Sequence, residues 1–162
     1  MAEGALSSQE RIYMKSLKSL AILPVGKYKV TDAAGNVQYQ EDGETPMTIT
    51  LHSPGTKKFQ SALHDFKAKK TGSMASIMKG KNDKDDPDAE VRDLAVFLAA
   101  VTISFDGFDY EGRVGNAAYR AAYEDIEIGH IADGLNKFLG DRGNFLPEPV
   151  TTSNDSSASQ PG

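Results

Sequence analysis

The chain has 162 residues, 39% of them apolar and 25% charged, with a formal net charge of −5 and no cysteine. That length allows one ordinary domain, or one small domain with tails. Without cysteine there are no disulfides, thiolate metal sites or cysteine nucleophiles, a reducing compartment fits, and the acidic balance argues against general nucleic-acid binding.

The first stretch, MAEGALSSQERIY, lacks the basic-then-apolar run of a signal peptide. Ser7 with Glu10 matches a capping box. Few apolar residues recur at helical spacing, so residues 1–19 read as a mobile arm or a marginal helix. Strands are expected within residues 20–52. Leu20–Leu23 precedes Pro24, and Lys27–Val30, Val37–Gln40 and Met47–Leu51 alternate. Ala33-Ala34-Gly35-Asn36 and Asp42-Gly43 supply turns between them. The result is a small antiparallel meander whose apolar face carries Tyr28, Val30, Val37, Tyr39, Met47, Ile49 and Leu51. Three strands alone are marginal, so that face must pack on something.

Ser53-Pro54 supplies a cap and a first-turn proline. Phe59, Ala62, Leu63 and Phe66 then recur at helical spacing, which predicts an amphipathic, lysine-rich helix over residues 55–69. Residues 70–85 lack a clear period and read as a flexible connection. The strongest start signal follows: Asp86 as cap, Pro87 at the first helical position, and Asp88 and Glu90 where the helix dipole favours acids. Leu94, Phe97, Leu98, Val101 and Phe105 keep helical spacing among alanines, giving a central helix that ends near Ser104. Asn116 can cap a short helix bearing Tyr119, Ala122, Tyr123 and Ile126. Asp125 can cap another bearing Ile128, Ile131, Leu135, Phe138 and Leu139, with Gly140 as its stop. Phe145 and Leu146 pin the end before Pro147, and the polar tail beyond has no reason to order.

The predicted fold class is α+β, a small antiparallel meander followed by a mainly helical part. Its units are an arm (1–19), the meander with its basic helix (20–70), a linker (71–85), a helical part (86–146) and a disordered tail (147–162). The longest uncharged apolar run, Leu94–Ile103, is about half of what a bilayer span requires, so no membrane association is expected and the protein reads as soluble and intracellular. Lys57–Lys84 carries eight lysines against two aspartates, whereas Asp85–Glu148 carries fourteen acids against five bases. Such polarity can attract oppositely charged partners or the chain's own copies head to tail; the plainer reading is two solvated faces.

No catalytic or metal site emerges, and no cofactor is implied. His64-Asp65 lacks the further ligands of a metal phosphohydrolase, and His130 with Asp133 is a local helix pair. Counted from Asp83 as a calcium loop, the cluster places Asp88 where glycine is required and Leu94 where glutamate is required. Neither Gly26-Lys27 nor Gly80-Lys81 has the upstream glycine of a phosphate-binding loop. Gly112-Arg113-Val114-Gly115 is a GxxG of the kind that clamps nucleic-acid backbones in KH domains, but its surroundings are acidic. An enzyme reading has no residue set behind it.

The order of features is more telling. A central helix runs into Phe105-Asp106-Gly107-Phe108, then a glycine-containing loop, Asn116-Ala117-Ala118-Tyr119, and a closing Asn144-Phe145. With the upstream DAAGN turn and SPGTKKFQ, residues 20–146 resemble tail assembly chaperones of long-tailed bacteriophages, of the lambda G-like minor tail protein type. One departure is that the first aromatic is often Trp there, and Phe105 stands at that place. The resemblance implies a host-cytoplasmic protein, absent from the finished virion. It would bind and solubilise the tape measure protein and help recruit tail tube subunits. In many such phages a frameshift adds a second domain.

Candidate partner-binding residues are Phe105, Phe108, Tyr110, Tyr119, Tyr123, Asn144 and Phe145, with Leu94, Phe97, Leu98 and Val101 as the core helix. The first three are expected in a loop, where they face either the client or the core. A structural tail or head-tail component, and a nucleic-acid adaptor acting through Lys57–Lys84, are the alternatives.

Overall fold

The computed structural model describes residues 15–80 and 86–148, so the capping box at Ser7 and Glu10 and the tail beyond 148 lie outside the described residues. Its sheet contains β1 (Val25–Lys29), β2 (Thr48–His52) and β3 (Thr102–Asp106) in that spatial order, all antiparallel. The helices are α1 (Lys57–Met78), α2 (Pro87–Val101), α3 (Gly115–Glu124) and α4 (Gly129–Gly140). The class is α+β, as the sequence predicts.

The third strand is not the one expected. Val37–Gln40 makes only isolated bridges, Thr31 with Val37 and Tyr39 with Pro46. Pro46 has no N–H to donate, and carboxylate-knotted turns flank the segment, so no ladder propagates. Asp32 accepts from the N–H groups of Ala34 and Asn36, and Asp42 from those of Glu44 and Thr45. Tyr39, expected on the apolar face, is exposed.

The place beside β2 is taken instead by Thr102–Asp106, expected as the end of the central helix and the start of a loop. The spacing of Val101 and Phe105 suits a helix. Thr102-Ile103-Ser104-Phe105, however, also alternates polar with apolar and begins β-branched, and a one-residue register shift at Ile103 leaves that side chain outward while Thr102 is buried. Helix α2 therefore stops at Val101, and the chain enters a strand directly.

Helix α1 begins two residues later than expected and runs well past residue 69. Its cap is Thr56, whose Oγ1 accepts from Phe59 N–H at 3.2 Å; Ser53-Pro54-Gly55 forms the turn before it. The run after Lys70 contains no proline to break it, and the helix continues through Gly72 to Met78. Gly80, at φ +73°, then stops it.

Helix α2 begins as its sequence dictates, with Asp86 accepting from Asp88 N–H at 3.0 Å and Pro87 in the first turn. It buries Ala95, Phe97, Leu98, Ala99 and Val101, while Leu94 is half-buried against them. Phe97 meets Phe59 edge-on and stacks on Phe66, with ring centroids 5.6 and 5.2 Å apart. These contacts clasp α1 to α2.

Asn116 does not cap α3, which starts from Val114 without a side-chain cap. Asp125 caps a short 3-10 turn, Ile126–Ile128, ahead of α4 rather than α4 itself. Leu146 is exposed, whereas Phe145 is wholly buried.

One core joins the layers. The inner sheet face supplies Ile49 and Leu51, α2 supplies Phe97, Leu98 and Val101, and α4 supplies Leu135 and Leu139. The outer sheet face is polar, and there the Asp106 carboxylate accepts from Thr48, Thr50 and Ser104 at 3.0, 2.5 and 2.7 Å. His130, on α4, donates Nε2–H to the Thr31 carbonyl at 3.0 Å and ties the helix to the β excursion, rather than pairing with Asp133. Among the described residues, no helix is long and apolar enough to cross a membrane.

Candidate functional site

Gly107 places the aromatic pair. At φ +84° it adopts a conformation open to glycine, and the Gln40 side chain occupies the space a β-carbon would need. Gln40 Nε2 in turn donates to the Asp106 carbonyl at 3.4 Å. The sharp turn that results folds Phe108 back onto Phe105, stacked at 4.8 Å between centroids and 20° between planes. Phe105 also touches the Tyr119 ring at 4.6 Å and meets Tyr123 edge-on at 6.0 Å. Phe105 is thus a strand residue paired with Ile49, and the register shift that leaves Ile103 unpaired between Thr102 and Ser104 lets Thr102 and Phe105 both face inward.

Two α3 tyrosines fix this cluster from the helix side. Tyr119 OH donates to the Ile103 carbonyl at 3.1 Å. Tyr123 is buried, with its hydroxyl 2.7 Å from Thr102 Oγ1. Because Thr102 already donates to the Leu98 carbonyl, Tyr123 is the donor of that bond. Burial pushes the Tyr123 phenol well above its ordinary value.

Beyond the pair the chain makes a tight turn at Tyr110–Arg113. Arg113 N–H donates to the Tyr110 carbonyl at 2.9 Å, and Glu111 and Gly112 take φ of 48° and 72°. Two successive left-handed residues are the mark of a primed turn. Tyr110 OH donates to Asp125 Oδ2 at 2.8 Å and latches this loop to the start of the Ile126 turn. That bond, with the nearby Asp125 and Glu111 charges, raises the Tyr110 phenol.

These elements enclose a groove of ≈ 180 Å³. Val30, Met47 and Ile49 form one wall, Phe105, Phe108 and Tyr110 the second, and Ala122, Tyr123, Ile128 and Ile131 the third. Among the described residues, Asp109 is the one charged residue lining it. The volume suits one aromatic or branched aliphatic side chain, since cavities near 150 Å³ take a benzene ring. Fully burying such a side chain is worth about 1.5–3 kcal/mol. What this lining can do, therefore, is take apolar side chains out of water.

The structure brings Phe105, Phe108, Tyr110 and Tyr123 together around the groove and sets Tyr119 behind Phe105. It puts the other two candidates elsewhere. Asn144 Nδ2 donates to the Phe138 carbonyl at 2.9 Å and so caps the end of α4. Phe145 is fully buried against Phe138, at 5.2 Å, and has no surface to offer a partner. Met47, Ile49, Ile128 and Ile131 are groove residues that sequence reasoning treated only as packing. Their signal was the unpartnered apolar face of the meander, but nothing local showed that α4 covers that face incompletely. Among the described residues, no three His, Asp or Glu side chains stand close enough to hold a metal ion. No family model, no curated protein and no solved structure matches this chain.

Proposed function

We propose that this protein is a phage tail assembly chaperone. It binds the helical, aggregation-prone tape measure protein, keeps it soluble and helps recruit tail tube subunits. The observation that carries the reading is the aromatic-walled groove, built by the Phe105-Asp106-Gly107-Phe108 step on which the family resemblance rests. A holder of helical clients works by receiving apolar side chains from a helix face, and a groove of this lining supplies such a place. The client's exposed apolar stripe is then no longer free to aggregate.

Co-expression tests the reading. With the tape measure protein of the same phage, a soluble complex is expected in which both chains co-purify. A tape measure protein that stays insoluble with and without this chain would overturn it.

A further inference from the structure

The groove has walls of one character and a rim of another. Asp109 lines it, Glu111 sits at the tip of the loop beside it, and Asp125 holds Tyr110 at its mouth. Glu127, in the turn that supplies Ile128, is exposed. Among the described residues, Arg113 in the same loop stands against these four acids, and Arg120 is paired with Glu124 at 3.5 Å. The groove is therefore a low-dielectric apolar slot edged, along the Asp109–Glu111 loop and the Asp125–Glu127 turn, by net negative charge.

We infer that the client segment received here is a basic amphipathic helix: an apolar side chain enters the slot while lysines or arginines flanking it on the same helix face the acidic rim. The inference rests on the proposed holding function and adds the chemistry of the partner. Apolar burial supplies most of the affinity, and rim charge supplies orientation and selection against acidic helices. Asp109 and Glu111 are exposed, so their contribution is felt in association and is screened by salt. The slot alone would not discriminate, because it reads only apolar volume.

The test uses two peptides of about 18 residues, long enough to hold a helix. Both carry leucine at i, i+3, i+4 and i+7; one has lysine at the flanking positions and the other glutamate. Fluorescence anisotropy with the full chain should show the lysine peptide binding about tenfold more tightly at low salt, the difference shrinking toward about 500 mM. Asp109→Asn with Glu111→Gln should remove most of that preference, whereas Asp88→Asn with Glu90→Gln, which changes net charge equally on α2, should leave it.

Equal binding of both peptides would overturn the charge inference and leave the holding function standing. Equal weakening by the remote pair would overturn it too, as an effect of net charge alone. Failure of both peptides to bind would overturn both. If the protein alone forms an oligomer at low salt that the Asp109/Glu111 variant disperses, the slot is taken by the basic α1 of a second copy and the inference falls.

Discussion

The ring of Phe145 occupies the space that a side chain on Gly26 would need. A β-carbon at Gly26 would lie 2.6 Å from Phe145 Cδ1 and closer still to Cε1. The last residue of the closing 3-10 turn thus packs directly on the backbone of β1, and Leu23 N–H donates to the Phe145 carbonyl at 2.7 Å beside it. The start of β1 and the closing turn are fastened to each other at this point.

Gly26→Ala should accordingly cost about 1–3 kcal/mol, because the buried ring has little room to move. Phe145→Ala should cost about 3–5 kcal/mol by leaving a cavity. The two should not add: in the Phe145→Ala background the extra methyl of Gly26→Ala meets empty space and costs less than it does alone. Urea unfolding of the four proteins checks this. Additive losses would mean that the contact is not what makes Gly26 necessary.

A second close approach holds α4 to the sheet. The Tyr28 hydroxyl fills the place of a β-carbon on Gly134, with Cζ 3.1 Å from that point. Gly134→Ala should destabilise by about 1–3 kcal/mol even though alanine is the better helix former. Adding Tyr28→Phe removes the nearest atom and should recover part of the loss. Thermal melts of the single and double variants separate strain from helix propensity.

The Asp106 carboxylate gives an acid-side prediction. Burial raises its pKa, but hydroxyl bonds from Thr50, Ser104 and Thr48, with the Lys27 charge, outweigh that and hold it below the ordinary 3.8. Since the folded value lies below the unfolded one, its contribution is present above about pH 4 and is lost as pH falls through the folded value. Asp106→Asn should therefore be less stable at about pH 7 and show a shallower loss toward about pH 3. Denaturant midpoints at the two pH values measure the difference, and parallel curves for the two proteins would contradict it.

Tyr123 gives the alkaline counterpart. Its folded pKa is raised above 10.0 chiefly by burial, so its contribution is full below that pH and is lost as pH rises further. Tyr123→Phe should cost about 0.5–1.5 kcal/mol at neutral pH through the bond to Thr102, and should flatten the alkaline loss.

Client binding should track the aromatic wall. Phe108→Ala removes the ring stacked on Phe105 at the groove and should weaken client capture by about 2 kcal/mol, roughly 30-fold. Asn144→Ala, at the α4 cap, should alter stability but leave the affinity of the folded protein unchanged. Peptide titrations alongside circular dichroism distinguish the two effects.

Much of this protein is written in local chemistry. The Asp86-Pro87 start, the apolar face of α2, the aspartate-knotted turns at Asp32 and Asp42 and the amphipathic Phe59–Phe66 stretch each follow from propensity, capping and spacing over a few residues. Other features were open at that level. Val101 and Phe105 fit a helix and a strand equally well, and β2 decided between them by offering an unpaired edge to Thr102–Asp106. Val37–Gln40 looked like a better strand, but Pro46 and two tight turns denied it a ladder. Whether Phe105 and Phe108 face the core or a partner also has no local answer. They do both, packing inward and walling a groove, because α3 and α4 approach the sheet from one side without covering it. Sequence by itself determined which segments are stiff and which faces are apolar, since those depend on neighbours along the chain. Only the tertiary structure decided which apolar face stays partly open, since that depends on the meeting of Val30, Met47, Phe108 and Ile131 across more than a hundred residues of chain.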